Sequence, residues 1–344
     1  MSEVIISADS HVMEPHDLWS SRLPEAMRSS AAVFPPPQTG PGFDHHPGGS
    51  DPHARIREMA VDGVSAEVLY PTLGLRLFGI DDARTQEACF RIYNDWLIDY
   101  CAVNNDRLLG IPALSVYNID AAVAELERTH RAGLAGAIIW QTPHPGLPFT
   151  STHYDKLWAA AQEMDAPVAL HILTGHNYTK RPSIAGTDVI RTAVNAKMND
   201  TLNGLFDIII SGTLDRFPRL KIVIVESEIG WMPFYFQQWD YYFRRFNKSV
   251  EFPITIPPSE YVNRGQVWAT FFNDTVGGHN LGWWGQEVCM WSSDYPHPNS
   301  PWPNSLKVID RDLGHLPGEV RAKLVRENVA RLYHMRVPET VAVG

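Results

Sequence analysis

Asp9, His11, His171 and Asp294 are residue types that bind divalent cations, and each closes or follows a short apolar run: Ile5-Ile6-Ser7-Ala8-Asp9-Ser10-His11, Val168-Ala169-Leu170-His171 and Met290-Trp291-Ser292-Ser293-Asp294. Imidazole nitrogens and carboxylate oxygens are donors that zinc, manganese and iron(II) share, so two of each suit any of these ions. In an extended chain, side chains two residues apart point to one side, which lets Asp9 and His11 face a single ion. Singly these signals are weak, since a histidine at a strand end is usually a hydrogen-bonded structural group and Asp-x-His is common. Their joint occurrence at three separate strand ends points to a metal site.

The run Ile222-Val223-Ile224-Val225 ends in Glu226. A buried carboxylate without a partner is costly, so this position demands one. Glu226 would ligate the ion, orient a bound water or pair with a neighbouring cation, and it joins Asp294 as a candidate catalytic carboxylate. Glu228, further out, reads as a loop group. Three histidines are candidates for contacting substrate: His297, three residues past Asp294, and His144 and His176, after the fourth and fifth apolar runs. Packing is the plainer alternative for His297, and solvation for the two loop histidines. Trp140, Trp231, Trp283, Trp284 and Trp302 would make an aromatic wall if they converge.

Such residues need a scaffold that gathers strand ends. Eight short apolar runs, at residues 4–8, 66–70, 109–115, 135–140, 167–172, 221–226, 267–272 and 288–292, alternate with helical patterns. That alternation is the signature of βα units around a parallel sheet. Most of the runs are continuously apolar, as strands buried on both faces must be. Helices are expected near 52–62, 81–105, 120–132, 154–164, 186–215, 231–247 and 318–333. Eight strands favour closure into a (β/α)8 barrel over an open doubly wound sheet, with the catalytic groups at the C-terminal strand ends. Segments near 20–50 and 248–264, rich in proline, interrupt the rhythm as insertions and are candidate lids or subunit contacts.

All 344 residues are expected to form one domain, since hydrophobic residues make up 44% and charged residues only 20%. The net charge of −10, from 29 basic against 39 acidic residues, excludes a nucleic-acid partner. With no apolar stretch long enough for a membrane span and no secretory pattern at the N-terminus, a cytoplasmic protein without a membrane partner is expected. Cys89, Cys101 and Cys289 are widely spaced and odd in number, so they read as reduced, interior thiols.

Several motifs resemble the amidohydrolase superfamily, in particular its amidohydrolase-related branch that includes aminocarboxymuconate-semialdehyde decarboxylase. They are Asp9-Ser10-His11-Val12-Met13-Glu14-Pro15, Arg55-Ile56-Arg57-Glu58-Met59 followed by Gly63, His171, the stretch from Glu226 to Pro233, and Trp291-Ser292-Ser293-Asp294-Tyr295-Pro296-His297. The resemblance implies a distorted TIM barrel with loop insertions and one divalent ion held by Asp9, His11, His171 and Asp294, with zinc expected first and manganese second. It also implies a homodimer or higher homo-oligomer. Asp9 stands where a histidine is commoner, which leans the site toward harder metals. Glu226 stands where many relatives carry a histidine, which removes the usual imidazole from that position.

Two reactions fit those ligands. Nonoxidative decarboxylation of a small aromatic or conjugated acid would use the ion as template and Lewis acid, Asp294 as proton donor and Arg55 as a bidentate partner for an anionic group. A surface salt bridge is the alternative for Arg55. Hydrolysis of an amide, ester or lactone would use a metal-bound water and a carboxylate base. A noncatalytic metal-binding barrel is the third reading, which intact ligand positions disfavour.

Overall fold

The computed structural model describes residues 3–28, 46–177 and 190–337. Eight strands follow in chain order: β1 Ile5–His11, β2 Val64–Tyr70, β3 Leu108–Gly110, β4 Ala137–Ile139, β5 Val168–His171, β6 Ile222–Val225, β7 Val267–Phe271 and β8 Cys289–Trp291. All of their pairings are parallel, in the orders β1-β2-β3 and β4-β5-β6-β7-β8. Two seams join these sheets into a ring. At one, Ala113 bridges Ile138 in parallel, and Leu114 N–H donates to Ile138 O at 3.0 Å. At the other, Asp294 N–H donates to Asp9 O at 2.9 Å and His11 N–H to Tyr295 O at 2.6 Å. The architecture is the eight-stranded α/β barrel expected from the apolar runs.

The strands are short and buried along their whole length; Ile222, Val223, Ile224 and Val225 are all inaccessible. Such residues have one face inside the ring and the other under helices, so neither face tolerates water. The third run departs from its expected extent. Regular pairing stops at Gly110 because Pro112 has no N–H to give the ladder, and only the bridge at Ala113 continues it. The long helix expected over 186–215 is divided: Lys197–Ile210 is α-helical, preceded by a π-helical turn at Arg191–Ala196, and a new helix begins at Thr213. Gly212 makes the break, with φ at 70° and Pro253 O packed where a side chain would project. Residues 186–189 of that span lie outside the described residues.

Residues 29–45 of the first insertion also lie outside them. The second insertion is anchored rather than lid-like: Ile254, Tyr261 and Val262 are buried, and Asp240 accepts from the N–H and hydroxyl of Ser259. It feeds β7 from its N-terminal end, on the barrel face opposite the site, which overturns its reading as a lid. Cys89, Cys101 and Cys289 are free and buried, as expected. Among the described residues no helix is long and apolar enough to cross a membrane.

Candidate metal centre

The C-terminal strand ends bring the candidate residues to one place. Asp9 lies in β1 and His11 ends it, His171 ends β5, Glu226 directly follows β6, and Asp294 lies three residues past β8. The β1–β2 register shifts between Ser7 and Ser10, the stretch that carries Asp9. Glu226 and Asp294 have φ of 58° and 52°, and Leu173 and Glu228 share this left-handed region at 67° and 54°. Each such non-glycine residue costs on the order of 1–3 kcal/mol and persists only where the surroundings enforce it. Here Glu226 N–H donates to Thr270 Oγ1 at 3.0 Å, and Asp294 is held through its N–H on Asp9 O.

His11 Nε2 and His171 Nε2 lie 3.3 Å apart. Around them, His11 Nε2 is 3.5 Å from Asp9 Oδ1, 3.5 Å from Asp294 Oδ1 and 3.7 Å from Glu226 Oε2. His171 Nε2 is 3.4 Å from Glu226 Oε2 and 3.7 Å from Asp9 Oδ1. Donors about 2.0–2.2 Å from one ion stand roughly 3–3.6 Å from each other, which is the spacing seen. One compact set is Asp9, His11, His171 and Glu226; a second, sharing two members, is His11, Glu226, Asp294 and His297. Glu226 thus belongs to both sets, and Asp294 sits on the His297 side.

The surroundings fit a cation. Pro71 O accepts from His11 Nδ1 at 2.8 Å and Ile172 O from His171 Nδ1 at 2.8 Å. A carbonyl can only accept, so each Nδ1 carries a proton, and in the neutral rings both Nε2 lone pairs aim inward. Both oxygens of Asp9, and Oδ2 of Asp294, are buried without a hydrogen-bond partner. Buried carboxylate oxygens rarely stay orphaned, and a divalent ion would satisfy those of Asp9.

Electrostatics separate the groups. Burial, then the neighbouring His297, pushes His11 well below the usual histidine range, as an imidazole ligand requires. Burial opposes protonation of His171, but the carboxylates of Asp9 and Glu226 outweigh it and raise this histidine. Burial and the Glu226 carboxylate raise Asp294 to about 7, against the pull of His297. Burial likewise disfavours charge on His297, yet Asp294 holds it at about 9 through a contact of 2.8 Å. The other ring nitrogen of His297 lies 3.0 Å from Thr72 Oγ1.

Other expectations meet a different arrangement. Arg55 is fully buried, with Nε on Glu67 at 2.5 Å, Nη1 on His11 O at 2.7 Å and Nη2 on Tyr295 O at 3.3 Å. Its ring contact is Tyr295, at 4.6 Å. The guanidinium therefore braces the backbone of His11 and Tyr295, and these contacts of Arg55 are with the chain itself. His144 and His176 pack against each other at 4.4 Å, with Tyr117 beside His144. The tryptophans do not form one wall: Trp140 is buried on Tyr154, Trp302 lies on Tyr295 and His46, and Trp283 is 69% exposed.

Sequence reading missed three supports. Glu67 takes Arg55 and the Ser10 hydroxyl; a lone acid inside apolar β2 is the same signal that singled out Glu226. Ser7, Ser10 and Ser293 form a buried hydroxyl cluster across the β1–β8 seam. Glu14 accepts from the N–H groups of Thr72, Leu73 and Gly74. Serines and a loop glutamate carry no periodicity that would reveal them.

Residues 8–335 match the protein family described as Amidohydrolase. The chain is 26% identical over 308 residues to the gamma-resorcylate decarboxylase of Rhizobium sp. (strain MTP-10005), covering 82% of this chain and 86% of that protein. It is similar in structure to an amidohydrolase from Mycobacterium avium subsp. paratuberculosis K-10, with a TM-score of 0.79 at 18% identity over 96% of this chain and 99% of that one. It is also similar to a dihydroxybenzoic acid decarboxylase from Polaromonas sp. JS666, solved with bound manganese and the inhibitor 2-nitroresorcinol. That likeness has a TM-score of 0.72 at 18% identity over 100% of both chains. The family match takes in nearly the whole sequence, and the chain belongs to the amidohydrolase family.

Proposed function

We propose that this protein is a metal-dependent decarboxylase of a small aromatic or conjugated carboxylic acid. The observation that carries the reading is the pair of inward-facing Nε2 atoms 3.3 Å apart beside the unpartnered carboxylate of Asp9. The curated relative named above, a decarboxylase, supplies the reaction class. In this reading Asp9, His11, His171 and Glu226 hold the ion, and Asp294 stands at the edge of that site. When bound, the ion would supply Lewis acidity and a template for the substrate carboxylate and an adjacent oxygen. Manganese replaces zinc as the favoured metal, because the carboxylate donors are hard and the Polaromonas relative carries manganese.

The chain's own contribution is proton delivery. Asp294, with Oδ1 on His297, gives a proton to the carbon that bears the substrate carboxylate. The bond to that carboxylate breaks, its electron pair remains on the carbon, and CO2 leaves. His297 returns a proton to Asp294. The reading also takes the chain as a single cytoplasmic domain that self-associates, for which sedimentation velocity is the check.

Hydrolysis is the second reading, favoured by one observation: Glu226 adds a nearly buried carboxylate at 3.4 Å from His171 Nε2, where it can serve as a base toward water. One experiment separates the two. Manganese-loaded protein is screened with hydroxybenzoates, other conjugated acids, esters, lactones and amides in isotopically labelled water. CO2 release with no solvent oxygen in the organic product supports decarboxylation, and label in that product selects hydrolysis. Asp294→Asn should lower kcat about 10²–10⁴-fold; retained turnover would remove Asp294 from the mechanism.

A further inference from the structure

We infer that Glu14 is a positioning residue for the metal centre, acting through the turn that follows β2. The inference rests on the reading of Asp9, His11, His171 and Glu226 as ligands. Glu14 lies three residues beyond His11 and is 4% exposed. Its Oε2 accepts from Leu73 N–H at 2.9 Å and Thr72 N–H at 3.3 Å, and its Oε1 from Gly74 N–H at 2.9 Å. Three consecutive N–H groups at the start of the 3-10 helix Leu73–Gly79 converge on one carboxylate. Helix-start donors favour an anion, and here the anion comes from the chain itself.

That turn touches the centre twice. Pro71 O accepts the Nδ1 proton of His11 at 2.8 Å and so fixes which nitrogen faces the ion. Thr72 Oγ1 meets His297 Nε2 at 3.0 Å, while the other side of that ring holds Asp294. The turn is tightly packed on Glu14: a Cβ at Gly74 would lie 2.8 Å from Pro71 Cβ and 3.0 Å from Glu14 Oε1. Glu14 therefore sets the height of Pro71 and Thr72 over the barrel mouth, and with it the rings of a proposed ligand and of the partner of the proposed acid. Groups that orient a ligand from behind are worth about 10–100-fold in metal affinity.

The test is calorimetric titration of manganese into apoprotein for wild type, Glu14→Gln and Gly74→Ala, with Asp62→Asn as a control. Asp62 makes a comparable carboxylate anchor elsewhere, on Ser305 N–H and Oγ. Both turn variants should bind manganese about tenfold or more weakly, while the control keeps wild-type affinity. Manganese affinity equal to wild type in a folded Glu14→Gln protein overturns the inference. If Glu14→Gln does not fold, Gly74→Ala, which keeps the carboxylate and displaces the turn, decides by the same criterion. A wild type that binds no manganese defeats the metal reading itself, and the inference with it.

Discussion

His11 and His171 present their Nε2 atoms to each other at 3.3 Å, edge to face, with ring planes 87° apart. Both Nδ1 atoms are committed to carbonyl oxygens, so in their neutral forms neither ring can donate across that gap. Two acceptor lone pairs at this distance, buried with three carboxylates, repel unless a cation lies between them.

Manganese should stabilise the fold as well as activate it. A ligand bound only by the native state adds RT ln(1 + [L]/Kd), about 2.7 kcal/mol at a hundredfold excess over Kd. Thermal unfolding with and without manganese should show a rise in Tm for wild type and none for His171→Ala. A wild-type Tm indifferent to manganese would count against the centre.

Arg55→Met should destabilise by about 3–5 kcal/mol, because Glu67 is left charged and unpaired in the interior. Denaturant titration measures it. A clamp for substrate would behave differently: stability unchanged and KM raised, and that result would restore the role expected from sequence.

Asn94 holds the seam where Pro112 interrupts pairing. Its side chain accepts from Ala113 N–H at 2.8 Å and donates to Ala113 O at 3.0 Å and Glu125 Oε1 at 2.8 Å. Asn94→Leu strands these buried groups at about 1–3 kcal/mol apiece. The protection of the Ala113 amide against hydrogen exchange should fall together with global stability; an unaffected amide would show that the seam does not depend on Asn94.

Asp62 should make stability fall as pH rises. Burial raises its carboxyl from 3.8 to about 6 in the folded protein. The fold therefore holds the proton more tightly than the unfolded chain. Its contribution is complete below about pH 3.8 and is lost as pH climbs through about 6, by up to about 3 kcal/mol. Asp62→Asn has no such titration, so wild-type stability minus variant stability should decline over that window and then level. A difference that stays constant with pH refutes the assignment.

The strands were legible because each is a continuous apolar run, and a residue buried on both sides leaves no other choice of side chain. His171 and Glu226 stood out for the complementary reason: a polar group that ends such a run has to be there for something. The surroundings of Arg55 are not legible in the same way, because its sequence neighbours do not reveal that Glu67, His11 and Tyr295 enclose it. For the segment 248–264, proline-rich composition signals irregularity without saying which end of the barrel it covers.

What the sequence determined by itself was local: eight apolar runs in order, helices between them, and donor residues at the C-terminal ends of the first, fifth, sixth and eighth. Periodicity and burial act along the chain, so they survive in a one-dimensional record. The tertiary structure alone decided that Glu226 joins Asp9, His11 and His171, that Asp294 answers to His297, and that Glu226 and Asp294 take left-handed backbones to do so. Those choices depend on seams, turns and hydroxyl contacts between segments hundreds of residues apart, where geometry rather than residue type selects the partner.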